Sequence, residues 1–306
     1  MKVLIIGFGS IGKRHYEILN NFDDIDQIDI VSKQDLNNII SFPNLKSVNN
    51  IEKYDYYIVA NETSKHFKDL QYICSKVQNK KILVEKPLYD KLYENLICNN
   101  EVFTAYNLRF HPAILQLKEL LLNEKVYYVN AICGQYLPTW RVDQDYKKSY
   151  SSDIKQGGGV LRDLSHELDY IYWLFGEFDL LNSINTKVSD LEITSDDIFT
   201  AIGITQKGII INLTVDYISK IPMRKIIVHS INKSIEVDII KNTISIGDKQ
   251  SNINVTQLEN IDRNYTYTKM HESLLCDDFN IISSFEDGQN VVKIIDNIEF
   301  KEFKYG

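Results

Sequence analysis

Val3-Leu4-Ile5-Ile6 runs into Gly7-Phe8-Gly9-Ser10-Ile11-Gly12 and then into Lys13-Arg14-His15-Tyr16-Glu17-Ile18-Leu19. A short, continuous apolar run is how a parallel strand buried on both faces reads. The residues after the glycines can continue as a helix. Glycines at this spacing have separate duties: Gly7 makes the tight turn, Gly9 lets backbone approach a pyrophosphate, and Gly12 lets the helix pack against the strand. The order strand, glycine turn, helix therefore predicts a doubly wound, parallel α/β sheet of Rossmann type. It also makes Gly7, Gly9, Ser10, Ile11 and Gly12 candidate dinucleotide contacts.

The rhythm repeats. Ile28-Asp29-Ile30-Val31-Ser32 reads as the second strand, and a site for NAD usually ends this strand in an acidic residue that binds the ribose hydroxyls. Ser32-Lys33 stands there instead, a hydroxyl and an ammonium that suit a 2′-phosphate. NADP is favoured over NAD, although Asp29 and Asp35 lie close enough for a small shift of register to reverse this. Tyr56 to Ala60 is the next strand, Asn61-Glu62-Thr63-Ser64 a polar turn, and His66 to Val77 a helix.

Ile82-Leu83-Val84-Glu85-Lys86-Pro87 then ends an apolar strand in a carboxylate, an ammonium and a proline that cannot continue the ladder. Phe103 to Asn107 reads as a further strand running into Arg109-Phe110-His111-Pro112. In an open α/β sheet, ligands bind beyond the carboxyl ends of the strands. Asn61, Thr63, Glu85, Lys86, Asn107 and Arg109 are thus expected on one rim. His15 and His66, judged by position alone, read as packed imidazoles inside amphipathic helices.

A chain of 306 residues with 44% hydrophobic content has room for about two domains with substantial cores. The formal charge of -8, with 34 Lys and Arg scattered along the chain, speaks against a nucleic-acid partner. No apolar run approaches the roughly 18 residues of a membrane span. The apolar run at the start is shorter than a signal-peptide core and reads as a first strand, so a cytoplasmic protein is expected. Cys74, Cys98, Cys133 and Cys276 are dispersed and read as free thiols in a reducing compartment.

After a helix over Ala113 to Leu121 the pattern turns β-rich, at Val126 to Tyr136, Ile198 to Ile204, Ile209 to Tyr217 and Lys225 to Ile246. Alternation and short turns such as Asn232-Lys233-Ser234 predict a C-terminal α+β domain with an open, mostly antiparallel sheet covered by helices on one face. The expected boundaries are 1–115 and 116–306. Gly157-Gly158-Gly159 precedes a helix with Leu161, Leu164, Leu168, Ile171 and Phe175 in one stripe and Asp163, His166, Glu167 and Tyr170 in the other. The glycines suggest close approach of backbone to a ligand, and the polar stripe a set of ionisable groups that tune one another. Its plain alternative is a solvated helix face. The segment 135–150 gathers Tyr136, Trp140 and Arg141, aromatic faces and a guanidinium that suit a sugar ring with an acidic group, or equally the packing of a domain or an oligomer interface.

In this order, the glycine turn, the Glu85-Lys86-Pro87 strand end and the helix after Gly157 resemble the Gfo/Idh/MocA family of NAD(P)-dependent oxidoreductases, over most of the chain. The resemblance implies hydride transfer between a nicotinamide and a secondary alcohol or ketone of a sugar, acidic sugar or nucleotide sugar, as in bacterial carbohydrate biosynthesis. It places the catalytic lysine on Lys86 and an aspartate on Asp163, with His166 as proton carrier. The family histidine commonly follows the aspartate by four residues, the place Glu167 holds here, so Glu167 competes for that role. His66 matches a family histidine that follows the nicotinamide-side turn and becomes a possible cofactor contact. Arg109, Tyr136, Trp140, Arg141, Glu167 and Tyr170 are the expected substrate contacts, no metal is expected, and a homodimer or homotetramer through the C-terminal sheet is. The competing functions are a non-catalytic dinucleotide sensor and a reductase of a non-carbohydrate carbonyl or double bond.

Overall fold

The computed structural model describes residues 1–36, 39–140, 145–298 and 300. The chain forms two compact units, Met1–Phe110 with Asp262–Lys293, and His111–Ile261 with the segment from Ile294. The expected cut at 115 lies just past the first crossing. The return at Asp262 was not part of the two-consecutive-domain reading.

In the first unit, β1 (Lys2–Ile6), β2 (Gln27–Val31), β3 (Ser41–Phe42), β4 (Tyr56–Val59), β5 (Lys81–Val84) and β6 (Glu101–Thr104) alternate with α1 (Ser10–Leu19) and α2 (Thr63–Cys74). All six strands pair in parallel. Continuous apolar strands form here because both faces are covered. Val3 and Ile5 pack in one layer and Leu4 and Ile6 in the other, all essentially without solvent contact. The last expected strand ends early: Thr104 closes β6, and Asn107–Phe110 is a single 3-10 turn. Cys74 and Cys98 form a disulfide, which corrects the expectation of four free thiols. Cys133 is a buried thiol whose pKa burial pushes up to about 12, and Cys276 is exposed.

The second unit opens with α3 (Pro112–Leu120) and β7 (Val126–Gly134), continues through α4 (Val160–Asp163) and α5 (His166–Phe175), and then runs through β8 (Phe178–Thr186), β9 (Ile198–Thr205), β10 (Ile210–Asp216), β11 (Met223–Ser230), β12 (Lys233–Asp238), β13 (Thr243–Asp248) and β14 (Ile253–Gln257). The strand order is β14-β13-β12-β11-β7-β10-β9-β8, with β7 and β10 parallel and every other pair antiparallel. Alternation along β7 and β9 buries one face and leaves the other open. The stretch 225–246 divides among three strands, and its first turn falls at Ile231-Asn232 because Lys233 already pairs with Asp248.

The chain then returns to the first unit with α6 (Tyr265–Leu275), β15 (Ser283–Ser284) and α7 (Phe285–Asp296) as far as Lys293. Tyr267, Met270 and Leu274 of α6 bury themselves in the core beside Val3 and Ile5, which is why this segment belongs there. The completed sheet has the order β15-β6-β5-β4-β1-β2-β3, with β15 antiparallel to β6. Strand order reverses between β1 and β4, the switch point at which open sheets of this kind hold ligands.

Candidate cofactor and substrate sites

At the end of β1, Gly7 has φ +101° and hydrogen-bonds by its N–H to the Val31 carbonyl oxygen at 2.9 Å. A β-carbon at Gly12 would lie 2.2 Å from the Gly7 oxygen, so only glycine lets α1 pack this close. At Gly9 a β-carbon would meet no heavy atom of the described residues within 4 Å. Gly9 and Ser10 are exposed, and the first turn of α1 carries no acidic residue. The first-turn amide groups, the positive end of the helix and open space over Gly9 fit a pyrophosphate.

The second strand ends at Val31, which puts Ser32 and Lys33 at its carboxyl end. Asp29 sits two residues back inside the strand, wholly buried, with Tyr54, Lys53 and Gln27 on its carboxylate. It is unable to read a ribose.

Asn61 follows β4 with its amide nitrogen on Asp69 at 2.6 Å, while its buried side-chain oxygen has no partner among the described residues, an acceptor left over at the rim. Thr63 opens α2 there. His66, read as a cofactor contact, is instead 1% exposed, with Nε2 3.1 Å from the Asn61 carbonyl oxygen and Nδ1 3.2 Å from that of Pro87. Burial pushes its pKa down, and its ring joins the turns that follow β4 and β5. Glu85 is buried at the end of β5, its Oε2 accepts the Lys86 N–H at 3.1 Å, and the Lys86-Pro87 peptide is cis. The Lys86 side chain is half-buried at this strand end. Asn107 and Arg109, expected at the rim, are buried and bound to protein. Asn107 donates to Thr266 at 2.6 Å, and Arg109, 1% exposed, pairs with Asp287 at 3.1 Å, so both fasten the returning C-terminal helices.

In the second unit the expected continuous helix breaks. α4 ends at Asp163, Leu164 turns out of helical geometry (φ -100°, ψ 30°), and α5 begins at His166. Asp163 is buried and accepts from the Tyr217 hydroxyl at 2.6 Å. Burial, and then Asp163 itself, push the Tyr217 pKa well up, so it stays a donor. The Tyr217 ring meets Trp140 edge-on at 5.1 Å, and the buried Trp140 indole N–H has no partner among the described residues. His166 is partly exposed.

Glu167 and Tyr170, expected to bind substrate, are wholly buried. Arg224 grips both oxygens of Glu167, at 2.7 and 3.1 Å, and the Tyr170 hydroxyl lies 3.4 Å from the same carboxylate. With its oxygens committed, Glu167 holds the sheet to α5. Tyr136 is half-buried with the Lys220 ammonium 4.6 Å from its ring centre, and Arg141 lies outside the described residues. The glycines before α4 face protein too. A β-carbon at Gly158 would lie 2.1 Å from the Tyr150 oxygen, and one at Gly159 (φ +126°) 2.1 Å from Asp196 Oδ1.

Residues 1–96 match the family model described as "Oxidoreductase family, NAD-binding Rossmann fold", and residues 118–299 match "Oxidoreductase family, C-terminal alpha/beta domain". The chain belongs to the Gfo/Idh/MocA family. Among curated proteins it is similar to the oxidoreductase-named YteT of Bacillus subtilis (strain 168), 24% identical over 177 residues, which is 53% of this chain and 41% of YteT. The chain thus matches less than half the length of that relative. Among solved structures it is similar to the UDP-N-acetylglucosamine 3-dehydrogenase GnnA of Acidithiobacillus ferrooxidans (TM-score 0.75, 17% identity, 96% of this chain and 94% of that one). It is also similar to a levoglucosan dehydrogenase in complex with NADH (TM-score 0.76, 17% identity, 97% and 95%). At these identities the likeness is one of fold.

Several residues of this Gfo/Idh/MocA chain gave no sequence signal. Tyr217 closes an apolar strand segment, Arg224 opens one, and His271 lies in a helix that returns from beyond the second unit. Only the fold shows what each of them touches.

Proposed function

We propose that this Gfo/Idh/MocA protein is an NAD(P)-dependent dehydrogenase or reductase of a CH-OH group on a sugar-type substrate, an acidic or nucleotide-linked sugar in particular. The observation that carries this is Lys86, held by its own backbone at the carboxyl end of β5 in a sheet whose switch point and open Gly9 fit a dinucleotide. Bound nicotinamide supplies or accepts the hydride. The Lys86 ammonium holds the substrate oxygen and offsets charge developing on it. His166 takes the hydroxyl proton in oxidation and returns it in reduction. Asp163, fixed by Tyr217, orients the alcohol, while the indole N–H of Trp140 and its ring suit a polyhydroxylated partner. The names of GnnA and the levoglucosan dehydrogenase support a sugar substrate. Ser32 and Lys33 at the strand end, with Asp29 buried elsewhere, support NADP.

We further propose that the open face of the second sheet joins copies of the chain, because Ile184, Ile202, Ile204 and Ile210 are 36–46% exposed on three adjacent strands. Titration of NADPH and NADH by fluorescence, then turnover on a panel of sugars and nucleotide sugars, tests the activity. Lys86→Ala is expected to lower kcat by about 100-fold or more with cofactor affinity retained. Binding without turnover on any substrate, in wild type as in variant, counts against an enzyme. Sedimentation of wild type and Ile202→Lys tests the assembly.

A further inference from the structure

A line of buried polar groups runs through the first unit beneath the Glu85-Lys86 strand end. Glu85 Oε1 lies 3.0 Å from His15 Nε2, His15 Nδ1 lies 2.8 Å from His271 Nε2, and His271 Nδ1 lies 3.0 Å from the Tyr56 hydroxyl. His15, His271 and Tyr56 have no solvent contact, and Glu85 is 6% exposed. Four elements supply the members: α1, α6, β4 and the end of β5. The His15 ring is further confined edge-on by His271 at 5.0 Å and Tyr267 at 5.4 Å.

Hydrogen-bond arithmetic fixes the direction of this line. A neutral imidazole has one donor and one acceptor, and an ionised carboxylate only accepts. If Tyr56 donates to His271, His271 to His15, and His15 to Glu85, every group in the line is satisfied. Run the other way, with a protonated Glu85 donating, the line leaves the Tyr56 hydroxyl hydrogen without an acceptor in a fully buried place, because His271 is its partner among the described residues. Such a stranded donor costs about 1–3 kcal/mol. Burial, with His15 beside it, pushes the His271 pKa well below its ordinary value, as a neutral member requires. Both imidazoles therefore carry hydrogen on Nε2, and Glu85 is a carboxylate whose second oxygen accepts the Lys86 N–H.

We propose that His15 and His271 are positioning residues that hold Glu85 as an oriented anion at the nicotinamide end of the sheet, and that this anion sets how strongly the protein prefers the oxidised over the reduced cofactor. In a doubly wound sheet the two halves of a dinucleotide lie on opposite sides of the switch point. The glycine turn and Ser32 occupy the β1-β2 side, so the strand ends of β4 and β5 fall to the nicotinamide. The oxidised ring is cationic and the reduced ring neutral. A fixed carboxylate thus favours the first, the more so because a buried site screens charge weakly. A carboxylate free to turn or to take a proton loses that preference. The inference rests on the dinucleotide site and not on the proposed sugar substrate.

The test uses the whole protein with NAD⁺, NADH, NADP⁺ and NADPH as probes. Glu85→Gln is expected to raise the ratio of oxidised to reduced dissociation constants at least five-fold, and His15→Leu to shift it in the same direction. His15→Gln, which keeps a donor toward Glu85 and an acceptor toward His271, should restore it to within two-fold. Adding His15→Leu to Glu85→Gln should shift it no further, since both act through one carboxylate. A wild-type ratio in Glu85→Gln, or in folded His15→Leu, overturns the proposal. Should His15→Leu not fold, ¹⁵N spectra of the wild type decide: both imidazoles neutral with hydrogen on Nε2 supports it, and a cationic or Nδ1-protonated ring at either position overturns it. If no dinucleotide binds at all, the cofactor site itself is refuted, a result distinct from an unchanged ratio.

Discussion

Two glycine-rich junctions lead into helices in this protein, and they need glycine for opposite reasons. At Gly7-x-Gly9-x-x-Gly12 in the first unit, Gly7 and Gly12 are pressed against protein, but a β-carbon at Gly9 would face open space at the head of a helix. At Gly158 and Gly159 of the second unit the pressure is internal. Gly158 meets the carbonyl oxygens of Tyr150 and Ser151, and Gly159 meets the Asp196 carboxylate, whose Oδ2 accepts the Leu161 N–H at 3.0 Å. One junction leaves room for a ligand. The other brings a loop down on a buried cap of its own helix, and the chemistry there passes to the side chains that follow, Asp163 and His166.

Adding one methyl group to each junction tests this contrast. Gly159→Ala has to adopt φ +126° and place its β-carbon 2.1 Å from Asp196 Oδ1, so either the loop or the cap of α4 gives way. The expected loss is about 3 kcal/mol or more of stability, read by denaturant unfolding, with dinucleotide affinity of the folded fraction unchanged. Gly9→Ala reverses the pattern. Its φ of -74° suits alanine and its β-carbon meets nothing, so the melting temperature should stay within a few degrees. The methyl group then stands where the pyrophosphate approaches, and NAD(P)H affinity should fall about ten-fold or more, roughly 1.4 kcal/mol. Equal losses of stability in both variants, or intact binding in Gly9→Ala, would erase the distinction.

The same contrast marks how far the sequence can be read. Glycine spacing, apolar strands and the alternation of β7 and β9 are local signals, and they locate the central strands of the parallel sheet and of the open, mostly antiparallel sheet to within a few residues, but not β3, β8, β14 or β15. Lys86 and Ser32 stand at strand ends that those signals locate. Roles that depend on a distant partner were not legible. Arg109 and Asn107 looked like rim residues until Asp287 and Thr266 returned from beyond the second unit to bind them. Glu167 looked like a proton carrier until β11 brought Arg224 to it. His66 looked like a cofactor contact, yet both its nitrogens face backbone carbonyl oxygens of the turns it joins. The helix over 161–175 broke at Leu164, although its apolar period continues unchanged across the break.

The smallest expected effect concerns how the two units meet acid. In the first unit, burial pushes down the pKa of both His66 and His271. In the second, burial and Arg224 push His111 down to about 4, while burial raises Asp196 to about 6. Below pH 6.5 the unfolded chain takes up protons that a buried neutral imidazole refuses, so each such histidine costs stability as pH falls from 6.5 toward its folded value. Asp196 has the opposite sign. Between about pH 6 and 4 the native carboxyl binds a proton that the unfolded one does not, and stability is gained as pH falls. The second unit thus sets one raised carboxyl against one histidine, whereas in the first burial also raises Asp69 but two histidines act together against it. On acidification from pH 7 to 5, amide exchange should accelerate in β1 and β4 before β7 and β10. Asp196→Asn keeps an oxygen for the Leu161 N–H but removes the offset, so the second unit should become as acid-sensitive as the first. His111→Asn keeps the acceptor that caps α3 at Ala113 and should make the second unit less acid-sensitive than in the wild type. If both variants follow the wild-type exchange profile with pH, the two units do not differ in this way.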